Sequence, residues 1–400
     1  MAPLWGSSWS STWGSLSGYT QVQSKESEST SGGDALKPSL AQILTSKRIR
    51  YTGSALAIVG LFFLAFHNYE QLPSMANMRG STSGSSSVVD PNKDCPPAVV
   101  PSFDSASVDW SRYAYTQYVT NKEYLCNSVM IFETLHRLKA KAELAMMYPD
   151  YMMDPKETNP DSAEAKLLVK ARDKYNVKLE PVSIQRRNGG DATWAESFTK
   201  LLAFNQTQYQ RVLHVDSDAT ILQTMDELFL LPPCPVAMPR AYWLFPKDKI
   251  LSSQLMLLQP SEVEFDRVMK KVESSANNDY DMEIVNQLYG DTAMILPHRP
   301  YDLLTGEFRG ENHENYLGTD REEFDPITIY NEAKYLHFSD WPAPKPWISM
   351  SEGTRQSTQP QCVTKDGRED CTARDLWNGF YSEFSERRSK VCDTSSRSRR

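Results

Sequence analysis

The sequence lacks an excess of basic residues: 43 Lys and Arg stand against 51 Asp and Glu, which gives a formal net charge of −8 and a pI near 5.4. This balance argues against a surface that follows nucleic acid phosphates, so we expect no nucleic acid partner. No internal repeat is visible in the 400 residues, which excludes a repeat architecture. The 40% hydrophobic fraction suits a globular core. Composition therefore favours small-molecule chemistry.

Long hydrophobic runs are also scarce, with one exception at residues 51–69. This stretch, YTGSALAIVGLFFLAFHNY, contains no Asp, Glu, Lys or Arg. As a helix it is about 28 Å long, close to the thickness of a bilayer core. Lys47, Arg48 and Arg50 precede it and Glu70 follows, which predicts a cytosolic N-terminus. We predict a type II signal anchor; a buried core helix is the alternative.

Composition divides the remaining chain into four parts. Residues 1–50 are rich in Ser, Thr and Gly and predict a disordered cytosolic tail, and residues 70–106 predict a flexible stem. Residues 107–350 carry the pattern of a globular domain, and residues 351–400 form a cysteine-bearing C-terminal segment. With the anchor at 51–69, everything from the stem onward is predicted to be lumenal.

The six cysteines all follow the predicted anchor, on the side of the membrane where disulfides form. They are Cys95, Cys126, Cys234, Cys362, Cys371 and Cys392. The clustering of the last three predicts a C-terminal segment closed by disulfides. Their partners are left open by the sequence, and free buried thiols are the alternative.

From about Ser107 short apolar runs alternate with helical patterns. The predicted strands are 114–119, 143–148, 177–184 and 211–215. The predicted helices are 124–138, 164–175, 193–204 and 261–276, the last opened by a capping box at Ser261 and Glu264 with Val263, Val268, Met269 and Val272 on one side. Strand and helix alternate four times, which predicts an α/β fold with a mostly parallel sheet and helices on both faces.

Two acidic residues, Asp216 and Asp218, directly follow the predicted strand 211–215. In an open α/β sheet the ligand crevice lies beyond the carboxyl ends of the strands. Two carboxylates there are suited to hold Mn²⁺ or Mg²⁺, which neutralises a substrate diphosphate. The alternative is a polar turn that caps a following helix.

Four blocks of sequence occur in an order that resembles glycosyltransferase family 8. They are TKLL at 199–202, RVLHVDSDATILQTMDELFLLP at 211–232, SSQLMLLQPS at 252–261 and DMEIVNQLYGD at 281–291. The resemblance covers roughly Tyr115 to Trp347. The run from Leu288 to Arg309, the anchor and the cysteine-bearing tail look most like the fungal Golgi N-acetylglucosaminyltransferase branch of that family.

The resemblance implies the GT-A fold, a Rossmann-like α/β architecture, here preceded by a single N-terminal transmembrane helix. It also implies an enzyme that retains configuration at the anomeric carbon of a UDP-sugar. Mn²⁺, with Mg²⁺ as the alternative, is then held by Asp216, Asp218 and His337, since imidazole and carboxylates suit this ion. On its own, His337 also fits a structural histidine.

Four further residues match positions of the family that contact the donor. Asn121 and Tyr124 lie in TNKEY at 120–124, which resembles the uridine-contacting loop, although Lys122 departs from the family's acid. Lys200 resembles a donor-contacting lysine, with a solvated helix lysine as the alternative. Lys345 resembles the lysine on the donor diphosphate, but two extra residues intervene and Asp340 stands at the family's glycine position.

Asp281 matches the family's acid near the sugar ring and is the predicted catalytic residue, because a carboxylate there can support charge at the anomeric carbon. Two neighbours of the site depart from the family. Met282 stands where Gln is common, and Gln254 ends a triplet where the family usually shows Asn-Ser-Gly.

These observations predict a retaining glycosyltransferase of the Golgi membrane that moves N-acetylglucosamine from a UDP donor to a mannose-rich glycan. The alternative is a catalytically inactive, membrane-anchored GT-A-like protein that binds glycans or partners, which the departures at Met282, Gln254 and Asp340 suggest. A metal hydrolase using the same acids is less well supported, because no nucleophile or base cluster accompanies them.

Overall fold

The structure is a computed structural model that describes residues 107–185, 196–245, 247–276, 279–365 and 367–392. The predicted tail, signal anchor and stem lie outside the described residues, and so does Cys95; these assignments stay predictions. Among the residues that are described, no helix combines the length and the apolar character needed to cross a membrane.

The described strands and helices follow one another along most of the chain. The strands are β1 (Tyr113–Tyr118), β2 (Glu143–Pro149), β3 (Val177–Val182), β4 (Arg211–Val215), β5 (Ala219–Ile221), β6 (Val236–Pro239), β7 (Leu255–Leu258), β8 (Met294–Leu296), β9 (Leu303–Leu304), β10 (Tyr335–His337), β11 (Val363–Lys365) and β12 (Arg368–Asp370). The helices are α1 (Lys122–Arg137), α2 (Ala163–Tyr175), α3 (Glu262–Ser274), α4 (Asp281–Tyr289), α5 (His298–Tyr301), α6 (Glu314–Leu317), α7 (Pro326–Glu332), α8 (Glu352–Thr358) and α9 (Thr372–Cys392). Short 3₁₀ segments lie between them at Trp110–Arg112, Asp150–Met152, Ser197–Asn205, Asp226–Leu230, Tyr242–Leu244 and Thr305–Arg309.

The central sheet has the strand order β3-β2-β1-β4-β7-β6-β8. Strands β1 to β4 are mutually parallel, and β6 and β8 are parallel to each other. Strand β7 runs antiparallel to both of its neighbours, β4 and β6. The prediction of an α/β fold with a mostly parallel sheet is confirmed.

Alternating side chains of the central strands point to opposite faces of the sheet, as the two-residue period of a strand requires. Tyr115 and Leu213 pack on one face in a core that includes residues of α1, α2 and α9. Ala114 and Val212 pack on the other face against the 3₁₀ segment Ser197–Asn205 and against α3 and α4. The predicted placement of helices on both faces is therefore also confirmed.

A smaller sheet, of order β5-β10-β9, adjoins the end of β4 in sequence. Strand β10 pairs antiparallel with β5, with His337 opposite Ala219, and parallel with β9, with His337 opposite Leu304. This pairing brings a segment from late in the chain beside Asp216 and Asp218. The small sheet therefore brings His337 to the site described below.

Two of the predicted helices differ from the structure at their starts or in their type. Helix α1 begins at Lys122 rather than 124, because the Asn121 side chain accepts hydrogen bonds from the backbone N–H groups of Glu123 and Tyr124. The predicted α-helix 193–204 is wrong where it can be compared: Ser197–Asn205 is a 3₁₀ segment. Its residues from 197 to 204 are all buried, so no polar stripe marks a helical face.

Helix α3 starts as predicted, but one side chain lies on the wrong face. The Ser261 hydroxyl accepts a hydrogen bond from the Glu264 backbone N–H, which is half of the predicted capping box. The carboxylate of Glu264 instead accepts from the Tyr289 hydroxyl. Val268 is fully buried, whereas Val263 is 75% exposed, so the prediction that both share the packed face is wrong. Five residues correspond to about 140° beyond a full turn, which separates the two faces.

Two disulfides close the C-terminal part of the chain. Cys362 and Cys371 join the hairpin β11–β12, as the prediction of a stapled segment requires. Cys392, the last residue of α9, is joined to Cys126 of α1, 266 residues earlier. The alternative of free thiols is wrong for these four residues. Cys234 is half-buried and has no disulfide partner within the described ranges.

Candidate active site

Asp216 and Asp218 lie between the end of β4 and the start of β5. Because a strand follows them at Ala219, the alternative of a turn that caps a following helix is wrong. The Asp216 backbone N–H donates to the Gln254 carbonyl oxygen at 2.8 Å, and the Phe338 N–H donates to the Asp218 carbonyl oxygen at 3.0 Å. The turn is thus fixed on one side by the chain before β7 and on the other by the chain after β10.

Asp216, Asp218 and His337 form a set of possible metal ligands, with one ligand atom from each residue lying within 4.8 Å of the others. His337 Nε2 is 3.1 Å from Asp218 Oδ1, and the buried His337 Nδ1 has no hydrogen-bond partner among the described residues. Two carboxylates and an imidazole suit Mn²⁺ or Mg²⁺, the first better because of the nitrogen. The residues present therefore fit the predicted metal.

A second group of possible ligands, at Cys362, Glu369 and Cys371, has a different explanation. The two sulfur atoms are joined in a disulfide, so neither is available as a thiolate ligand. This group therefore offers no metal site. The candidate metal ligands are Asp216, Asp218 and His337.

Lys345 contacts Asp218 despite the two extra residues before it. Its Nζ lies 2.8 Å from Asp218 Oδ2 and donates to the Phe338 carbonyl oxygen at 2.6 Å. Burial alone would raise the pKa of Asp218, but the charge of Lys345 and the contact with His337 hold it well below its ordinary value. Asp218 is therefore ionised at neutral pH. Asp340, the departure from the family's glycine, does not keep Lys345 from the acids.

Lys200 is buried, with a side chain only 4% exposed, and lies between two acids. Its Nζ is 2.9 Å from Asp216 Oδ1 and 2.8 Å from Asp281 Oδ2, and it also donates to the Ser253 carbonyl oxygen. Burial would lower the pKa of Lys200, but Asp216 and Asp281 raise it well above its ordinary value. The alternative of a solvated lysine is therefore wrong.

Asp281 is the first residue of α4 and is held from two sides. Its Oδ2 accepts a hydrogen bond from the Ser253 hydroxyl at 2.8 Å in addition to the Lys200 contact. Burial would raise the pKa of Asp281, but the charge and hydrogen bond of Lys200 and the serine hydroxyls lower it. The position at the start of a helix adds to this, because the helix dipole favours a negative charge there.

Among the residues that the structure describes, the assembled acids outnumber the cations that contact them. The three carboxylates of Asp216, Asp218 and Asp281 contact two ammonium groups there, those of Lys200 and Lys345. The excess of one negative charge favours a cation, and the added charge of a divalent ion would in turn favour an anionic ligand.

The two predicted uridine contacts lie at the start of α1. Asn121 uses its side-chain oxygen to cap α1, so this oxygen is already bonded within the chain. The ring of Tyr124 packs edge-on against Trp347, with centroids 5.4 Å apart. Burial raises the pKa of Tyr124, and the charges of Asp218 and Asp216 add to this. Contact of either residue with a nucleotide stays a prediction.

Three polar residues that the sequence reading did not single out also surround the acids. His214 is fully buried, with Nε2 3.8 Å from Asp216 Oδ1. The Tyr335 hydroxyl donates to the Asp216 carbonyl oxygen at 3.3 Å, and Ser253 bonds to Asp281 as described. The sequence could have indicated His214, because it lies two residues before Asp216 and residues two apart along a strand share a face. Ser253 is the middle residue of the triplet compared above with the family's Asn-Ser-Gly, but its bond to Asp281 and the place of Tyr335 depend on pairing between distant segments.

Asp302 is a buried carboxylate near this cluster. It is 0% exposed, and neither of its oxygens has a hydrogen-bond partner of good geometry among the described residues. Burial raises its pKa to about 8; the nearby Ser252 hydroxyl lowers it and the charge of Asp216 raises it. Asp302 is therefore predominantly protonated at neutral pH.

Comparison with known proteins places the chain among fungal relatives. No family profile matches it. Glucose N-acetyltransferase 1 of Gibberella zeae is 59% identical over 290 residues, which cover 72% of this chain and 64% of the relative. The protein of the same name from Aspergillus fumigatus is 45% identical over 312 residues, which cover 74% of this chain and 81% of the relative. The chain belongs to the glucose N-acetyltransferase 1 family.

Members of the glucose N-acetyltransferase 1 family also occur among more distant relatives. The Saccharomyces cerevisiae member is 24% identical over 404 residues, covering 71% of this chain and 82% of the relative. These relatives bear out the predicted fungal branch, whereas the wider assignment to glycosyltransferase family 8 stays a prediction. The chain spans less than two thirds of the length of the Gibberella zeae relative.

Among solved structures the similarity is weaker. The bifunctional glycosyltransferase WbbM has a TM-score of 0.44 and 13% identity, covering 71% of this chain and 52% of that one. The galactosyltransferase LgtC in complex with donor and acceptor sugar analogues has a TM-score of 0.40 and 11% identity. The match covers 68% of this chain and 95% of that one.

We predict that Lys200→Met destabilises the protein by about 3–5 kcal/mol at pH 7, because Asp216 and Asp281 lose their buried counter-charge. This loss of stability is smaller near pH 4, where the Asp281 carboxylate, no longer held ionised by Lys200, takes up a proton. Urea unfolding of wild type and Lys200→Met at pH 7 and at pH 4 measures the difference in the free energy of unfolding. Lys166→Met, at an exposed lysine of α2, is the control. An unchanged free energy of unfolding in Lys200→Met would show that the buried ion network contributes nothing.

We also predict that Asp302→Asn becomes more stable relative to wild type as the pH rises from 5 to 8. The folded-state pKa of about 8 lies above the ordinary value of 3.8, so ionisation favours the unfolded chain throughout this interval. The difference grows by roughly 1.4 kcal/mol per pH unit. Urea unfolding in the presence of EDTA measures this difference in the free energy of unfolding. Asp266→Asn, on the exposed face of α3, is the control. Parallel stability curves for Asp302→Asn and wild type would contradict the raised pKa.

Proposed function

We propose that the protein is a metal-dependent glycosyltransferase that transfers N-acetylglucosamine from a UDP donor to a mannose-rich glycan. The observation that carries this proposal is the convergence of Asp216, Asp218 and His337 with Lys200 and Lys345 at the end of β4. The relatives' name, glucose N-acetyltransferase 1, supports the sugar; we interpret it as transfer of an N-acetylglucosamine unit.

The charges of the site suit a nucleotide diphosphate. Mn²⁺, held by Asp216, Asp218 and His337, would neutralise the diphosphate and assist its departure. Lys345 supplies a point charge on the same side, because its ammonium lies against Asp218 and can exchange this contact for a phosphate oxygen. Asn121 and Tyr124, at the start of α1, would contact the uridine.

Asp281 is the proposed catalytic residue, facing the sugar ring. The contacts with Lys200 and Ser253 fix the orientation of its carboxylate and keep it ionised. An ionised carboxylate stabilises positive charge that develops at the anomeric carbon. Met282 has no hydrogen-bond donor and cannot attack as a nucleophile, so this stabilisation falls to Asp281 and to oxygens of the leaving group. We propose retention of configuration, in which the acceptor approaches the face that the diphosphate leaves.

The departures that suggested an inactive binding protein leave the proposed machinery in place. Asp340 is buried and accepts hydrogen bonds from Trp377 and Tyr381, so it serves the packing of the loop. Gln254 contributes its backbone carbonyl to Asp216. These contacts favour the enzyme over the inactive alternative. We further propose a lumenal Golgi location, which rests on the predicted anchor at 51–69.

Asp218→Asn should reduce Mn²⁺-dependent turnover of UDP-N-acetylglucosamine by at least about 10²-fold, since it removes one charged ligand. Release of UDP at limiting Mn²⁺ measures the effect, with thermal unfolding as the test of folding. The exposed Asp266→Asn is the control and should match wild type. Full turnover in folded Asp218→Asn, or turnover in wild type that EDTA leaves unaffected, would disprove the metal role.

The first-formed product should carry an α linkage, because the donor linkage is α and retention preserves it. Proton NMR of the product, recorded early with a mannoside acceptor, reads the anomeric coupling directly. A β linkage would refute retention without refuting transfer, and a screen of UDP-sugars under the same conditions tests the donor separately.

A further inference from the structure

Helix α9 contacts two of the segments of the chain that build the candidate donor site. The first segment is the start of α1, where Asn121 and Tyr124 lie. The second is the loop 338–347, which follows His337 and carries Lys345. These segments are separated by more than half of the chain, so their relative position depends on tertiary contacts.

The contact with α1 is both covalent and polar. The disulfide Cys126–Cys392 joins the end of α9 to α1, with the two Cα atoms 5.9 Å apart. One turn earlier in α9, Arg388 donates from Nη1 to the Glu123 carbonyl oxygen at 3.2 Å and to the side-chain oxygen of Asn127. The carbonyl of Glu123 lies in the turn that Asn121 caps, so α9 holds the same turn that carries Tyr124.

The contact with the loop 338–347 is made through a buried carboxylate. Trp377 Nε1 donates to Asp340 Oδ1 at 2.9 Å, and the Tyr381 hydroxyl donates to Oδ2 at 3.0 Å. Trp377 is 0% and Asp340 4% exposed. Because a buried carboxylate is costly without donors, these two hydrogen bonds, together with one from the Thr305 hydroxyl to Oδ2, fix where the loop turns.

A row of aromatic rings connects the two contacts. Phe384 of α9 packs against Phe338 with centroids 5.1 Å apart and against Trp347 at 6.3 Å. Trp347 in turn packs against Tyr124 at 5.4 Å. Trp347 therefore lies between α9 and the start of α1, at the end of the loop that contains Lys345.

We propose that α9 is a positioning element that sets the distance between the start of α1 and the loop 338–347, and that donor affinity depends on Cys126–Cys392, Arg388 and Trp377. The identity of the ligand as a UDP-sugar rests on the proposed function. The physical reason is pre-organisation: segments ordered in advance bind a ligand without the entropic cost of ordering them. Arg388 and Trp377 bond to Glu123, Asn127 and Asp340 and not to the carboxylates of Asp216, Asp218 or Asp281, so we expect them to act on donor binding.

The test compares two disulfides in the full-length protein. Cys126→Ser/Cys392→Ser removes the α9 link, and Cys362→Ser/Cys371→Ser removes the hairpin link as the matched control. We expect the first variant to raise the KM for UDP-N-acetylglucosamine about tenfold, with acceptor KM within about twofold and kcat changed less than donor KM. Without any donor, amide hydrogen exchange in 338–347 should accelerate. The control should match wild type in both measurements.

A folded Cys126→Ser/Cys392→Ser variant with unchanged donor KM and unchanged exchange would overturn the proposal. If this variant does not fold, Trp377→Phe decides, because it removes one hydrogen bond to Asp340 and keeps an aromatic ring. The same rise in donor KM is expected there, and its absence counts against the proposal. Failure of wild type to use any UDP-sugar would reject the proposed function, whereas the exchange measurement still decides the role of α9.

Discussion

The site depends on buried positive charge between carboxylates that would otherwise repel one another. Lys200 lies within 3 Å of oxygens of both Asp216 and Asp281, and Lys345 lies 2.8 Å from Asp218. An uncompensated buried carboxylate costs several kcal/mol, so these ammonium groups fix where the acids can be. One lysine thus ties a proposed metal ligand to the acid proposed to face the sugar. The proposed metal site and the proposed reacting centre therefore form one electrostatic unit.

The fold supplies these groups from segments that are far apart in the chain. The parallel strands β1 to β4 bring Asp216 to the carboxyl edge of the sheet, where a ligand crevice is expected. The antiparallel strand β7 is preceded by Ser253, which holds Asp281, and the pairing of β5 with β10 delivers His337. The distances between these groups are therefore consequences of strand pairing. Helix α9 adds the last constraint, across the loop that carries Lys345.

Much of this could be predicted from the sequence, and what could not has physical reasons. The strand 211–215 carries three apolar residues and has acids at its end, and the alternation of strands and helices predicts that these acids lie at the carboxyl edge of a mostly parallel sheet. The segment 197–205 is buried on all sides, so its periodicity gave the wrong helix type. The burial of Lys200 is a tertiary effect, because the charges that stabilise it lie on β4 and α4. A pattern of apolar and polar residues does not by itself fix which side chains are buried, since Val263, an apolar residue near the start of α3, is 75% exposed.

Direct observation of a bound metal ion tests whether Asp216, Asp218 and His337 form a metal site. Electron paramagnetic resonance of Mn²⁺ titrated into the purified protein with UDP counts bound ions, because binding removes the six-line signal of free Mn²⁺. We expect one Mn²⁺ for each chain, held more tightly with UDP than without it, and a loss of binding in His337→Gln. Free Mn²⁺ at full amplitude with the folded wild type, or equal binding in His337→Gln, would contradict the assignment of Asp216, Asp218 and His337 as the metal site.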